Sequence, residues 1–292
     1  MLDLEWNGAY SRKAHGYFNE IIDIGAVKLD ENLKELDRFQ VMIRPVVSRK
    51  LSDIVHNLTQ IEQEDLEDGV TFQKAISSFT RWIGDQPAAI LTWSQTDLLV
   101  LMEDFRYFYK RDDVPFMTHY ADIQRYCQGR MGVDLSQQLG LRNACEMLSI
   151  SDEGMEHHRA LGDSVLTSEV LRKVGDSNSL QEILLEADLT FYERVLFKPV
   201  ILRDIDSPLI KRSELKFACP VCKSNLRRKS EFSFRNRGFC AEFSCHKCKL
   251  AYMGRVQFKQ TYDGMEIKRK LTEKKPPQED KERQGDQHEK EN

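Results

Sequence analysis

Two Cys-x-x-Cys pairs, Cys219-Pro220-Val221-Cys222 and Cys245-His246-Lys247-Cys248, are separated by 22 residues and constrain the fold of this chain more than any other feature. Two short loops of this kind bring four thiolates to the corners of one tetrahedron, the arrangement that closes around Zn²⁺. With 7 cysteines in 292 residues, chance supplies only about 0.01 such double pairs. Four protein ligands leave no position for water, so one zinc ion held there is expected to be structural rather than catalytic. Cys240 reads as a spare, and His246 is the lesser ligand candidate because Cys248 completes the second pair. Cys127 and Cys145 stand alone and read as buried thiols. Cysteines clustered in this way fit a reducing compartment better than a disulfide framework. With no run of 18 or more apolar residues and no basic start followed by an apolar stretch, a cytoplasmic protein without a membrane partner is expected.

The net charge of −4 hides a division. From Lys198 to Lys270 the chain carries 18 Lys and Arg against 7 Asp and Glu, whereas residues 1–197 sum to −13. A basic appendage on an acidic body is a different object from a mildly acidic protein, and the appendage is where attraction to a polyanion is expected. Phe232 and Phe234 alternate with Ser233, Arg235 and Arg237, and Val256, Phe258 and Tyr262 alternate with Arg255 and Lys259. On strands, such alternation gives one apolar and one basic face. The basic face, together with Arg227, Arg228 and Lys229, is expected to contact phosphates, with protein docking as the alternative.

Upstream, Asn19 to Leu29 and Phe39 to Ile43 read as strands of a hairpin, with Glu31-Asn32 in its turn. Apolar residues at 72, 75, 76, 79 and 83 predict a helix, Ala88 to Trp93 a short strand, Asp97 to Tyr109 a helix, and Met117 to Ile123 a strand. Further helices are expected over Leu135 to Leu148 and about Ala160 to Val174, followed by a bridging helix from Leu180 to Phe197. Antiparallel strands followed by alternating strands and helices predict a mixed α/β sheet covered by helices. The expected organisation is a body over 1–175, a bridge over 176–210, a small β module over 211–270 and a disordered charged tail over 271–292. With its two knuckles, the β module resembles a zinc ribbon.

Three acidic clusters stand out in the body. Asp3 and Glu5 lie two apart, so on a strand they share a face and reach one metal cluster; hard oxygen donors of this kind favour Mg²⁺ or Mn²⁺. Alone, the pair means little, since roughly seven acidic-x-acidic triplets are expected by chance. Asp97 follows the strand ending in Thr92-Trp93, at the edge where α/β sheets open onto ligands. His158-Arg159-Ala160-Leu161-Gly162-Asp163 has the form H-x-A-x-x-D, expected about 0.03 times by chance, at the start of the last helix of the body.

Taken in order, Asp3-x-Glu5, the segment Trp93 to Asp97 and the H-x-A-x-x-D motif resemble the DEDDh subgroup of DnaQ-like 3′–5′ exonucleases, with ERI-type enzymes and bacterial sporulation-inhibitor proteins as the nearer cousins. The resemblance spans about residues 1–175, and includes the strand NEIIDIGAVKL and Asn57-Leu58-Thr59-Gln60-Ile61, similar to the L-T-x-I segment that borders the family's substrate groove. It implies an RNase H-like fold and a phosphodiester hydrolase. Asp3, Glu5, Asp97 and Asp163 would hold two Mg²⁺ or Mn²⁺ ions and His158 would act as general base on single-stranded or frayed 3′ ends, DNA or RNA. An imidazole with an ordinary pKa near 6.5 suits that task at neutral pH, and the adjacent His157 breaks the spacing. A regulatory interaction protein built on the same fold is the alternative, and a polymerase proofreading subunit a third reading. Against the regulatory reading stands the full carboxylate set, which repels itself unless a cation is bound. Only Met1 and Leu2 precede Asp3, so either neighbouring structure fixes this residue or translation begins upstream.

Overall fold

The computed structural model describes residues 1–13, 16–85, 88–151 and 159–274. The chain forms two compact units, Met1–Leu196 and Phe197–Asn292.

The first unit opens with three antiparallel strands, β1 (Leu2–Ser11), β2 (Gly16–Leu29) and β3 (Glu35–Met42). Helices α1 (Asp53–Thr59), α2 (Gln63–Asp68) and α3 (Phe72–Ile83) follow. The Thr71 side chain caps α3 by accepting from the Lys74 N–H, and its apolar stripe of Phe72, Ala75, Ile76 and Phe79 is buried as the spacing predicts. Next come β4 (Ala89–Thr92), α4 (Thr96–Tyr109), β5 (His119–Asp122), α5 (Ile123–Arg130), α6 (Leu141–Met147), α7 (Ala160–Val174), α8 (Ser177–Ile183), β6 (Leu185–Glu186) and α9 (Leu189–Leu196). β4 and β5 are parallel, and β6 closes the edge antiparallel to β5.

Successive residues on the central strands feed opposite cores. Ala26, Ile90 and Tyr120 join one cluster with residues of α3, α4 and α9, while Val27, Leu91 and Ala121 join the other with residues of α5, α6, α7 and α8. Strands buried on both faces read as continuous apolar runs, which is why these segments are recognisable in the sequence.

Two helical expectations are corrected. The stretch before Leu141 is not helical: the Leu139 carbonyl accepts from Trp93 Nε1 and Gln124 Nε2, and the Gln137 carbonyl from Gln128 Nε2, so side chains take the place of a helical ladder. The bridging helix is two helices, α8 and α9, interrupted where Leu185 and Glu186 pair with Tyr120 and His119.

The second unit is antiparallel. β7 (Val200–Ile201), β8 (Arg227–Arg228), β9 (Ser233–Arg235), β10 (Gly238–Ser244), β11 (Ala251–Thr261) and β12 (Gly264–Glu273) form one sheet in which β8 and β9 pair with β10, and β7 pairs with β11. β12 carries ladder pairing on to Glu273, past the expected start of the charged tail; 275–292 lie outside the described residues. Its core is aromatic, with Phe217, Phe239, Phe243, Tyr252 and Phe258 packed around Val256, Cys219 and Cys245. No helix among the described residues is long and apolar enough to cross a membrane.

Candidate active site

β1 alternates buried Leu2 and Leu4 with Asp3 and Glu5, which share the opposite face. Asp3 pairs with Gly25 and Glu5 with Asp23 on β2, so the strand is fixed by ladder bonds running downstream from Leu2. Gly25 is what admits the third carboxylate. A Cβ there would stand 2.0 Å from the backbone of Ala160 and Leu161, so only glycine lets the first turn of α7 rest on β2. Ser164 Oγ then donates to the Gly25 carbonyl at 2.8 Å, and Asp163 is presented beside Asp3 and Glu5. Oxygens of these three carboxylates lie within 4.8 Å of one another.

Asp97, in the first turn of α4, is buried and accepts from the Leu4 N–H at 3.1 Å. It stands outside the 4.8 Å set, although its charge acts on Asp3. Burial, followed by the charges of Asp97, Asp163, Glu5 and Asp23, holds the Asp3 carboxyl well above the usual carboxylate range. Glu5 is pushed up to about 8 by burial and then by Asp163, with Arg159 offsetting part of the rise. Burial also raises Asp97 to about 7 against the opposing hydrogen bond from Leu4. Asp3, Glu5 and Asp163 converge, and Asp3, Glu5 and Asp97 are held above the usual carboxylate range, so the site is built for positive charge, and an all-oxygen donor set fits a hard divalent cation such as Mg²⁺ or Mn²⁺.

His158 and His157 lie outside the described residues. The described chain resumes at Arg159, the N-cap of α7, and its anchoring involves a residue that motif reading missed. Asp23, fully buried, forms an ion pair with Arg159 at 3.6 Å and accepts from Gln40 Nε2 at 3.2 Å. The Ala160 N–H is directed at the same carboxylate, which burial raises and Arg159 lowers. Its signal in the sequence is a lone acid inside the apolar run IIDIGAV. Asp23 thus clamps the segment that follows His158. Asp23→Asn is expected to lower turnover or cation affinity about 10- to 100-fold, the usual cost of losing a partner behind a metal site, checked by cation titrations of turnover.

A second pair that motif reading missed holds the loop at residues 46–52. Glu20, buried, accepts from the Val46, Val47 and Ser48 N–H groups at 2.6, 2.8 and 2.9 Å. Asn7 Nδ2 donates to the Ser48 and Lys50 carbonyls, and Asn7 Oδ1 accepts from the Ser52 N–H. Together they fix the loop that leads into α1, where Ile54 is 80% exposed and Leu58 49%, while Thr59 and Ile61 are buried.

The family follows from the chain's first 171 residues. The exonuclease family described as RNase_T matches residues 1–171, which contain the three clustered carboxylates, Asp97 and the H-x-A-x-x-D motif. The chain belongs to that family. As a member of the RNase T/DEDDh 3′–5′ exonuclease family it is a phosphodiester hydrolase; the family uses divalent metals and acts on nucleic acid. The exonuclease is 26% identical over 178 residues to the probable 3′-5′ exonuclease KapD of Bacillus subtilis (strain 168), a match covering 60% of this chain and 82% of KapD. It is 29% identical over 168 residues to ERI1 exoribonuclease 2 of Homo sapiens, covering 49% of this chain and 23% of that protein. Its fold is similar to the nuclease domain of 3′hExo, a DEDDh family member bound to rAMP, with a TM-score of 0.52, 22% identity, and coverage of 64% of this chain and 94% of that one. A 3′-exonuclease in a structure of histone mRNA stem-loop recognition is similar with a TM-score of 0.51, 20% identity, and coverage of 63% and 84%.

The exonuclease's second unit carries the four cysteines, with Sγ atoms of Cys219, Cys222, Cys245 and Cys248 within 4.8 Å of one another. The two knuckles repeat one geometry. The Lys223 N–H donates to the Cys219 carbonyl at 2.9 Å and the Lys249 N–H to the Cys245 carbonyl at 3.0 Å; Cys219 and Cys245 donate to Ser224 and Leu250 at 2.8 and 2.9 Å. Lys223 and Lys249 both sit at φ 60°. The Cys248 N–H points at Cys245 Sγ at 3.3 Å, and this bond, ahead of Ser224, lowers the Cys245 thiol to about 5. Cys248 is held up to about 12 by sharing protons with the neighbouring sulfurs, Cys222 first. A cluster poised between thiol and thiolate is consistent with zinc. Cys240, on β10, and His246 stand outside it.

Proposed function

We propose that the chain shortens single-stranded or frayed nucleic acid from the 3′ end, with Asp3, Glu5, Asp97 and Asp163 holding two Mg²⁺ or Mn²⁺ ions and His158 as general base. The observation that carries this reading is the convergence of Asp3 and Glu5 with Asp163, far apart in sequence, within 4.8 Å at the surface cleared by Gly25. These carboxylates would hold the divalent cations, which would supply positive charge to lower the pKa of water and offset charge at the leaving oxygen. The protein's own groups do the rest. Asp97 is oriented by the Leu4 N–H, and Asp163 by the seating of α7 on β2. The Asp23–Arg159 clamp fixes the residue next to His158, whose imidazole takes the proton of the attacking water.

In our reading residues 1–175 carry this chemistry, 176–196 complete the same compact unit, and 211–270 within the second unit form the zinc module in which Cys219, Cys222, Cys245 and Cys248 hold one structural Zn²⁺. One relative is named an exoribonuclease and one similar structure concerns a histone mRNA stem-loop, so RNA ends are the first substrate to try.

The test is a time course with 5′-labelled RNA and DNA oligonucleotides in Mg²⁺, Mn²⁺ or no added divalent cation. A ladder shortening from the 3′ end, dependent on the cation, is expected. His158→Ala should slow it by about 10²- to 10⁴-fold while oligonucleotide binding is retained. A chain that degrades neither polymer with either ion would move the reading to a regulatory protein on an exonuclease fold.

A further inference from the structure

The sheet of the second unit has two unlike faces. Along β11, Tyr252, Gly254, Val256 and Phe258 turn into the core, leaving Met253, Arg255, Gln257 and Lys259 on the other side. Register extends that outer face across the sheet, because directly paired residues share a side. Arg255 stands opposite Cys240 on β10 and Lys270 on β12, and Gln257 opposite Lys268. On β9, Ser233 pairs with Cys240 and Arg235 with Gly238. Arg235, Arg255, Lys268 and Lys270 therefore form one band crossing four strands, about 15 Å at the usual strand spacing.

The centre of the band is built flat. A Cβ on Gly238 would stand 2.9 Å from Arg255 Nε, so glycine lets the Arg255 side chain lie across β10 and reach the Asn236 carbonyl in the β9–β10 turn. Gln257 Nε2 donates to the Arg237 carbonyl of the same turn at 2.9 Å. Arg235, Arg237, Lys268 and Lys270 are exposed.

The carboxylates on this face are already engaged. Glu242 pairs with Lys274 at 2.6 Å and Glu266 with Lys259 at 3.4 Å. Among the described residues no carboxylate pairs with Arg235, Arg237, Lys268 or Lys270. By contrast Arg228, which the composition also singles out, is tied to Glu231 at 3.1 Å and lies over the Phe232 ring.

We propose that this band binds the phosphate backbone of a single-stranded nucleic acid, the substrate strand, without regard to base. Nucleic acid is the occupant on grounds of charge complementarity and because the first unit is an exonuclease; the inference rests on that reading. Base-independent binding follows from the face itself, where cations are interleaved with Cys240, Met253 and Gln257 rather than with aromatic rings on which bases stack.

The experiment uses the full chain carrying Lys268→Glu and Lys270→Glu, which sit on exposed positions of the edge strand β12. Binding of a fluorescein-labelled 30-nucleotide RNA is measured across a salt series in an Asp163→Asn background, so that the strand is not cut. Two lost phosphate contacts should weaken binding about tenfold or more at 0.1 M salt and reduce the slope of log K against log salt by about 1.4. The ratio of kcat/KM on the 30-mer to that on a 6-mer should fall in the cutting-competent background. Lys268→Gln with Lys270→Gln should give a smaller change in the same direction, and Cys240, in the middle of the band, should be protected from alkylation by bound RNA in the wild type. An unchanged affinity and salt slope in a charge-reversed protein with native zinc content and circular dichroism would overturn the proposal, as would a docked acidic peptide that protects Cys240 where RNA does not. A wild type that binds the 30-mer through this band yet cuts nothing would leave the surface standing and remove the exonuclease reading instead.

Discussion

Replacing Asp163 with Asn is expected to reduce turnover about a thousandfold and, in the same protein, to raise the thermal midpoint measured without divalent cation. The first effect follows from the charge the site must hold. A cation that stabilises the transition state is worth several kcal/mol, and a loss of about 4 kcal/mol is about a thousandfold in rate. The second follows from repulsion. Burial is the largest cause that lifts Glu5 and Asp97 to about 8 and about 7 and raises Asp3, and the charge of Asp163 adds to all three. A carboxyl whose folded pKa lies above its unfolded value holds extra protons in the folded state between the two. The stability it allows is therefore present at low pH and is lost as pH rises from about 4 to about 8. Removing one charge shrinks that loss. Calorimetry at pH 8 should accordingly show wild type gaining more from added Mn²⁺ than Asp163→Asn does. A variant with a lower cation-free midpoint and wild-type turnover would take Asp163 out of the site and leave it a structural helix residue.

That combination, less activity with more stability, separates a functional cluster from a solvated acidic face. An exposed acid loses little either way when it is neutralised, because water already screens it. Asp3, Glu5 and Asp163 are half-buried against a strand and a helix start, so their mutual repulsion persists until a cation arrives.

Much of this was legible beforehand because the relevant signals are local. Asp3 and Glu5 share a face by strand periodicity alone, and the H-x-A-x-x-D spacing falls at a helix start whichever sheet the helix covers. The buried strands were readable because Ala26-Val27, Ile90-Leu91 and Tyr120-Ala121 supply both cores at once. What stayed hidden depends on pairing. Asp23 and Glu20 look alike as acids of one strand, yet one clamps Arg159 and the other gathers three N–H groups of the loop before α1. Their places come from pairing, with Asp23 opposite Glu5 and Glu20 opposite Asn7 on β1 and a register shift between Glu5 and Trp6. The false start of α6 has a related cause: no periodicity rule foresees that Trp93 and Gln124 will both donate to the Leu139 carbonyl. Likewise Arg235, Arg255, Lys268 and Lys270 become a band only when four strands are aligned.

Withdrawing zinc is expected to unfold the second unit outright, and Cys245→Ser should do the same at neutral pH. Cys219 and Cys245 are the buried centre of that unit's apolar cluster, so the metal site and the core are one structure. Zinc bound by four cysteines contributes about 10–16 kcal/mol at neutral pH, as much as or more than the about 5–15 kcal/mol that holds a whole domain folded. Without the ion, the four sulfurs must share protons in a space where Cys222 and Cys245 Sγ approach to 3.4 Å and Cys219 and Cys248 Sγ to 3.9 Å. Binding has to displace the proton that keeps Cys248 at about 12, so zinc affinity should weaken as pH falls. Elemental analysis should find one zinc per chain, and a chelator strong enough to take it should abolish amide-exchange protection in β10 and β11. Protection in β1, β2 and α7, which belong to the other compact unit, should survive, as should cation-dependent cutting of a 6-mer. Loss of protection throughout the chain would mean that the zinc module is part of the catalytic body's own stability. A zinc-free protein with β10 and β11 still protected would mean that Phe239, Phe243, Tyr252 and Phe258 hold the sheet without the metal.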